Sequence, residues 1–195
     1  MFYVKNRILF PVPKYGKIVR IEFNHSGLLF SLRKTILDDK KIANFHRVKK
    51  LTLLDNLILR VKGTSVYEFL SPLFSHSEIE SFCDSMQLES SRCKIKDLFP
   101  FKREYIFLKR DSRKYDSYIY QTQGTTPYLY FMLYECMKDI TDRGGRVIEI
   151  TSPLVSDGSV GNLLQEVCPN LEDRVINFRI MHEFPQSYNS EDVTF

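Results

Sequence analysis

The chain has 195 residues, of which 43% are hydrophobic and 27% charged, with a formal net charge of +4. That balance supports a packed core and excludes a disordered or low-complexity chain. No stretch approaches the ~20 apolar residues that cross a bilayer, and Lys5 and Arg7 interrupt any signal-peptide core at the N-terminus. The charge is uneven: residues 1–50 hold 12 Lys/Arg against 3 Asp/Glu, and residues 51–195 hold 16 against 21. A basic front of this kind faces nucleic acid, an anionic surface or an acidic partner, unless the two parts neutralise each other. The four cysteines (Cys83, Cys93, Cys136 and Cys168) are widely spaced among apolar neighbours. They read as reduced core thiols of a cytoplasmic protein.

In chain order, Phe2–Phe10 reads as a first strand, ended by Pro11 and Pro13. Lys17–Phe23 alternates, with Val19, Ile21 and Phe23 on one face. Asn24–Gly27 supplies a turn, and Leu28, Phe30 and Leu32 resume the alternation, which predicts a β-hairpin. Residues 35–50 are polar and predict a weak helix and loop, and Leu57–Val61 predicts a short strand. Two capping boxes, Ser65 with Glu68 and Ser75 with Glu78, open two helices separated by Pro72. The second buries Ile79, Phe82, Cys83 and Met86. Gln87–Ser91 is a polar connection that divides the chain into lobes at residues 1–91 and 92–182.

In the second lobe Tyr105–Lys109 and Ser117–Thr122 predict a paired hairpin. Thr126–Pro127 opens a helix whose apolar face is Leu129, Met132, Leu133, Cys136 and Ile140, and Gly144–Gly145 stops it. Arg146–Thr151 is a strand, Val160–Val167 a short helix and Arg174–Ile180 a final strand. The fold class is therefore α/β: a mixed sheet with an N-terminal hairpin and a β-β-α-β-α-β lobe. Residues 183–195 are polar and read as a tail or linker.

The candidate chemistry is thin. Lys62–Ser65 follows a strand-like run and precedes a helix, but it lacks the spaced glycines of a phosphate loop. A Ser65/His182 hydrolase lacks a glycine after the serine, so Ser65 reads as a helix cap. His182–Glu183 lacks the second histidine of a zinc helix, and Glu149 lacks a lysine two residues on. No catalytic, cofactor-binding or metal-binding residues are assigned. Lys109, Arg110, Arg113 and Lys114, interleaved with Tyr105, Tyr115, Tyr118 and Tyr120, form a basic hairpin that could meet phosphates and bases. Glu104, Asp111 and Asp116 interrupt it, as on a solvated face. On the helix after Pro127, Tyr128, Tyr130, Phe131 and Tyr134 exceed what one buried stripe needs, which predicts a protein-binding face.

The element order, with Lys17–Arg33 as a first hairpin and Tyr128–Pro153 as long helix, Gly-Gly, strand and Ser152–Pro153, is ribonuclease-H-like or actin-like in outline. Within that group it resembles the cytoplasmic domains of actin-like inner-membrane assembly proteins of type IV pili and type II secretion. The resemblance implies a non-enzymatic scaffold with protein partners and no bound cofactor, reaching the membrane only through a segment outside these residues. The alternatives are an α/β transferase or hydrolase with its site at the strand carboxyl ends, and a nucleic-acid-binding regulator.

Overall fold

The computed structural model describes residues 3–4, 7–8, 12–23, 36–38, 40–48, 52–122, 127–151 and 172–180. Two short strands, β1 (Tyr3–Val4) and β2 (Arg7–Ile8), pair antiparallel with each other. The main sheet contains β3 (Ile18–Phe23), β4 (His46–Arg47), β5 (Ser117–Gln121), β6 (Arg146–Thr151) and β7 (Val175–Ile180). Its order is β4-β5-β6-β3-β7, and every pairing in it is parallel. The α-helices with both ends among the described residues are α1 (Leu53–Lys62), α2 (Val66–Leu70), α3 (His76–Ser85), α4 (Pro100–Asp111) and α5 (Pro127–Asp142).

The α/β class expected from the pattern holds, and several details differ. β3 is hydrogen-bonded to β6 on one edge and β7 on the other, so it is a central strand and not a hairpin arm. Residues 28–32, the expected second arm, lie outside the described residues, as do residues 160–167 and 183–195. Leu57–Val61 is helical: Thr52 and Asp55 form a capping box, and Gly63 at φ 59° ends the helix. Tyr105–Lys109 is also helical, within α4, which Pro100 opens. β5 accordingly pairs with β4 and β6 rather than with a hairpin partner. The sheet takes β3 and β4 from residues 1–91 and β5, β6 and β7 from residues 92–182, so it runs across the expected lobe boundary.

Other expectations match. Ser65–Glu68 and Ser75–Glu78 are reciprocal capping boxes, and Gly144 (φ 81°) follows α5 where a left-handed residue is needed. One face of the sheet packs Ile18, Tyr118, Tyr120 and Val147 against α5 and its neighbours, including Leu133, Cys136 and Ile140. The other packs Val19, Ile21, Ile119, Ile148 and Ile150 against Ile36, Ile42 and Phe45. The chain after β3 therefore covers one face, and the chain after β5 covers the other. No described helix is long and apolar enough to cross a membrane.

Candidate functional site

Period-two alternation puts Arg20 and Glu22 of β3, Glu149 and Thr151 of β6, and Thr122 after β5 on the face covered by α5. Register sets Arg20 beside Glu149 and Glu22 beside Thr151. All five are buried, Glu149 completely. Arg20 Nε donates to Glu149 Oε2 at 2.8 Å. Thr122 Oγ1 and Tyr130 OH donate to Oε1 at 3.0 and 3.1 Å. The Arg20 guanidinium also lies 5.5 Å from the centre of the Tyr134 ring. This polar group sits towards the carboxyl ends of central parallel strands, where the connections leave for opposite faces and α/β sheets commonly bind ligands.

A second feature is a cleft of about 580 Å³ between α3, α4 and α5. Phe74, Phe82 and Tyr105 line it, together with Lys109, Arg113, Glu135, Lys138, Asp139 and Asp142. Its charges are largely matched. Arg113 meets Glu78 at 2.5 Å and Asp139 at 3.3 Å, and Lys109 lies 3.9 Å from Asp139. Lys138 and Arg174 meet Asp142 at 2.8 and 2.5 Å. Burial alone would raise the Asp142 carboxyl, but these hydrogen bonds hold it below its ordinary value. Burial does push Glu135 up, and its carboxylate accepts a hydrogen bond from Tyr105 OH.

The structure redistributes the residues singled out in the sequence. Lys109 and Arg110 are on α4, with Arg113 and Lys114 in the turn beyond it, so no basic hairpin exists there. Arg110 stacks on Phe69 at 4.3 Å, and Lys114 pairs with Asp111 at 3.1 Å. Tyr118 and Tyr120 are core residues, whereas Tyr115 is exposed and stacks on His46. The expected binding face of α5 is also core: Tyr130 is 4% and Tyr134 1% exposed, and Phe131 is half-buried. The side chain of Tyr128 lies outside the described residues. The sheet wraps far enough under α5 to bury the Tyr130 and Tyr134 rings.

Ser65 is a cap: its Oγ accepts from the Glu68 backbone N–H at 3.1 Å while Glu68 accepts from Ser65 N–H at 2.8 Å. His182 lies outside the described residues. Burial pushes the Cys83 thiol to about 11 and the Cys136 thiol to about 12, so both are protonated at neutral pH.

Sequence reasoning missed α1. Leu53 is 90% exposed, Leu54 65%, Leu57 58%, Ile58 43% and Val61 78%, while Leu59 is buried against the body. The missed signal was the Thr52–Asp55 box followed by apolar residues at i, i+4 and i+8 and then Gly63.

No protein-family model matches the chain, and no curated protein matches it. Among solved structures it is similar to a "Structure of ATP binding subunit of ABC transporter", with a TM-score of 0.43 and 14% identity, over 75% of this chain and 72% of that one. It is also similar to a chain in a complex of the archaeal ribosomal stalk protein aP1 and the archaeal ribosome recycling factor aABCE1. There the TM-score is 0.44 and the identity 15%, over 72% of this chain and 34% of that one.

Proposed function

We propose that the chain is a non-enzymatic interaction domain, a scaffold whose partner surface is α1. The exposed apolar stripe of that helix carries the reading. Large apolar side chains in a contiguous exposed row mark a surface that another protein covers. The groups most suited to chemistry are meanwhile engaged internally. Glu149 is hydrogen-bonded by three side chains, Ser65 and Ser75 cap helices, and the Cys83 and Cys136 thiols stay protonated. In the setting that the sequence resemblance suggests, such a domain serves a membrane-associated pilus or secretion assembly from the cytoplasmic side.

The test is substitution on the stripe. Leu57→Asp and Val61→Asp remove exposed apolar groups, so they should move the thermal midpoint by less than about 4 °C. The same variants should lose proteins that the tagged wild-type chain retains from extract of its native host. If wild type and variants retain the same proteins, α1 is not the partner surface.

A second reading rests on the polar group formed by Arg20, Glu22, Thr122, Glu149 and Thr151. Its place at the strand carboxyl ends is where an α/β enzyme would hold substrate. Calorimetry with ATP or GTP and Mg²⁺ separates the readings for nucleotides. The scaffold reading expects no binding, whereas a dissociation constant below ~100 μM, about −5.5 kcal/mol, would favour the enzyme.

A further inference from the structure

The charges beside the α1 stripe specify more than a generic apolar contact. Leu53, Leu57 and Val61 form one row at four-residue spacing, and Leu54 and Ile58 form the adjacent row. At ~100° per residue, Asp55 and Lys62 fall on the same flank of this stripe, near opposite ends of the helix. We propose that α1 is self-complementary and packs antiparallel against α1 of a second copy of this chain. The proposal rests on the reading of α1 as a partner surface and names the partner.

A two-fold axis perpendicular to the helix pair, passing near Leu57 and Ile58, places those two residues of each copy at the centre. Leu54 of one copy then packs near Val61 of the other. A two-fold contact of this kind keeps like flanks on the same side and reverses their direction. Asp55 of one copy therefore meets Lys62 of the other, once at each end. Asp55 also accepts from Thr52 N–H at 3.0 Å, and a carboxylate has lone-pair sites for several donors. A parallel two-fold pairing would put this flank of the two copies on opposite sides of the seam, so Asp55 and Lys62 would not meet, and the helix dipoles would be aligned. The antiparallel pairing opposes the dipoles as well. Rim charges of this kind select orientation more than they add affinity.

The two four-residue rows are the ridges that interdigitate when helices cross at about −50°. Ten residues make a helix only ~15 Å long. The contact is then smaller than the ~800 Å² per partner of a standard interface, which implies a weak, concentration-dependent dimer.

Sedimentation velocity on the full chain tests this. Wild type should shift from monomer towards dimer across the micromolar range, and Leu57→Asp should raise the dissociation constant at least about tenfold. Lys62→Glu should weaken the dimer through like charges at both ends. Should Leu57→Asp fail to give the wild-type circular dichroism spectrum, Val61→Glu replaces it at a more exposed position. Orientation is read by oxidative cross-linking against a wild-type control. Ile58→Cys near the axis should form an interchain disulfide readily, and Leu53→Cys should not. A wild type that stays monomeric at high micromolar concentration overturns the proposal, as does a dimer indifferent to Leu57→Asp, or Leu53→Cys linking faster than Ile58→Cys. A monomeric wild type whose host partners still depend on Leu57 would refute the second copy and leave α1 as a surface for a different protein.

Discussion

Glu149 stands on a buried face of β6 where valine or isoleucine would fill a parallel sheet. Its carboxylate receives Arg20, Thr122 and Tyr130, so removing it leaves the Arg20 guanidinium buried without this partner. Breaking a buried pair on one side costs roughly 3–5 kcal/mol, while replacing both members by apolar residues is often neutral or stabilising. Glu149→Ala should therefore lower unfolding free energy by about that amount, and Arg20→Met with Glu149→Leu should recover most of the loss. Urea denaturation checks both. A small loss in the single variant would show that water or neighbouring groups compensate the arginine. The thiols give a second residue-level prediction. With Cys83 held near 11 and Cys136 near 12, neither should react with a thiol reagent at pH 8 in the native protein, and both should react in denaturant. Peptide mapping distinguishes them from the other cysteines. Rapid native labelling of Cys136 would mean that α5 opens locally.

At the scale of elements, α3 and α5 carry opposite pH dependences. Ser75 Oγ accepts from Glu78 N–H, and the Glu78 carboxylate accepts from the Ser75 backbone and hydroxyl, which together hold its pKa below the ordinary value of 4.5. The stability from that box is present above 4.5 and fades as pH falls through the lower folded value. Ser75→Ala should cost about 1 kcal/mol at neutral pH. Glu135 is the reverse: burial raises its folded value, so its contribution is full below 4.5 and is lost as pH rises through that folded value. Glu135→Gln should then be more stable than wild type at neutral pH, with the difference shrinking in acid. Thermal melts across that range check the sign. The capping boxes of α2 and α3 were legible because serine and glutamate sit at fixed spacing. α1 and α4 were not, because Leu57–Val61 and Tyr105–Lys109 are short, mostly apolar segments with one basic residue each, which fit either period. The helix starts, Thr52–Asp55 and Pro100, and for α1 the four-residue spacing and Gly63, distinguish them. The partner face failed for a related reason: Tyr130 and Tyr134 are amphipathic, and sequence does not say how far a sheet extends beneath a helix.

At the scale of the whole molecule, β3 was legible as a strand but not in its place. Arg20 and Glu22 interrupt Val19 and Ile21 in a pattern that resembles a half-solvated hairpin. Their burial follows from register with Glu149 and Thr151, about 129 residues away, which no local window contains. That separation leads to the last prediction. Residues 1–91 contain β3 and β4 but none of β5, β6 and β7, the neighbours to which these strands are hydrogen-bonded in the sheet. Residues 92–182 contain β5 and β6 but lack β3, which joins β6 to β7. Each piece would expose unpaired strand edges and one side of a shared core, and such edges promote aggregation. Expressed alone, neither piece should give a cooperative thermal transition or a dispersed amide spectrum. In the whole chain, amide exchange should be slowest in β5, β6 and β3, which are protected on both edges and should open only with global unfolding. A cooperative melt of residues 1–91 alone would show a lobe that is stable without the sheet. Exchange in β3 as fast as in the edge strands β4 and β7 would show that the five strands do not unfold as one unit.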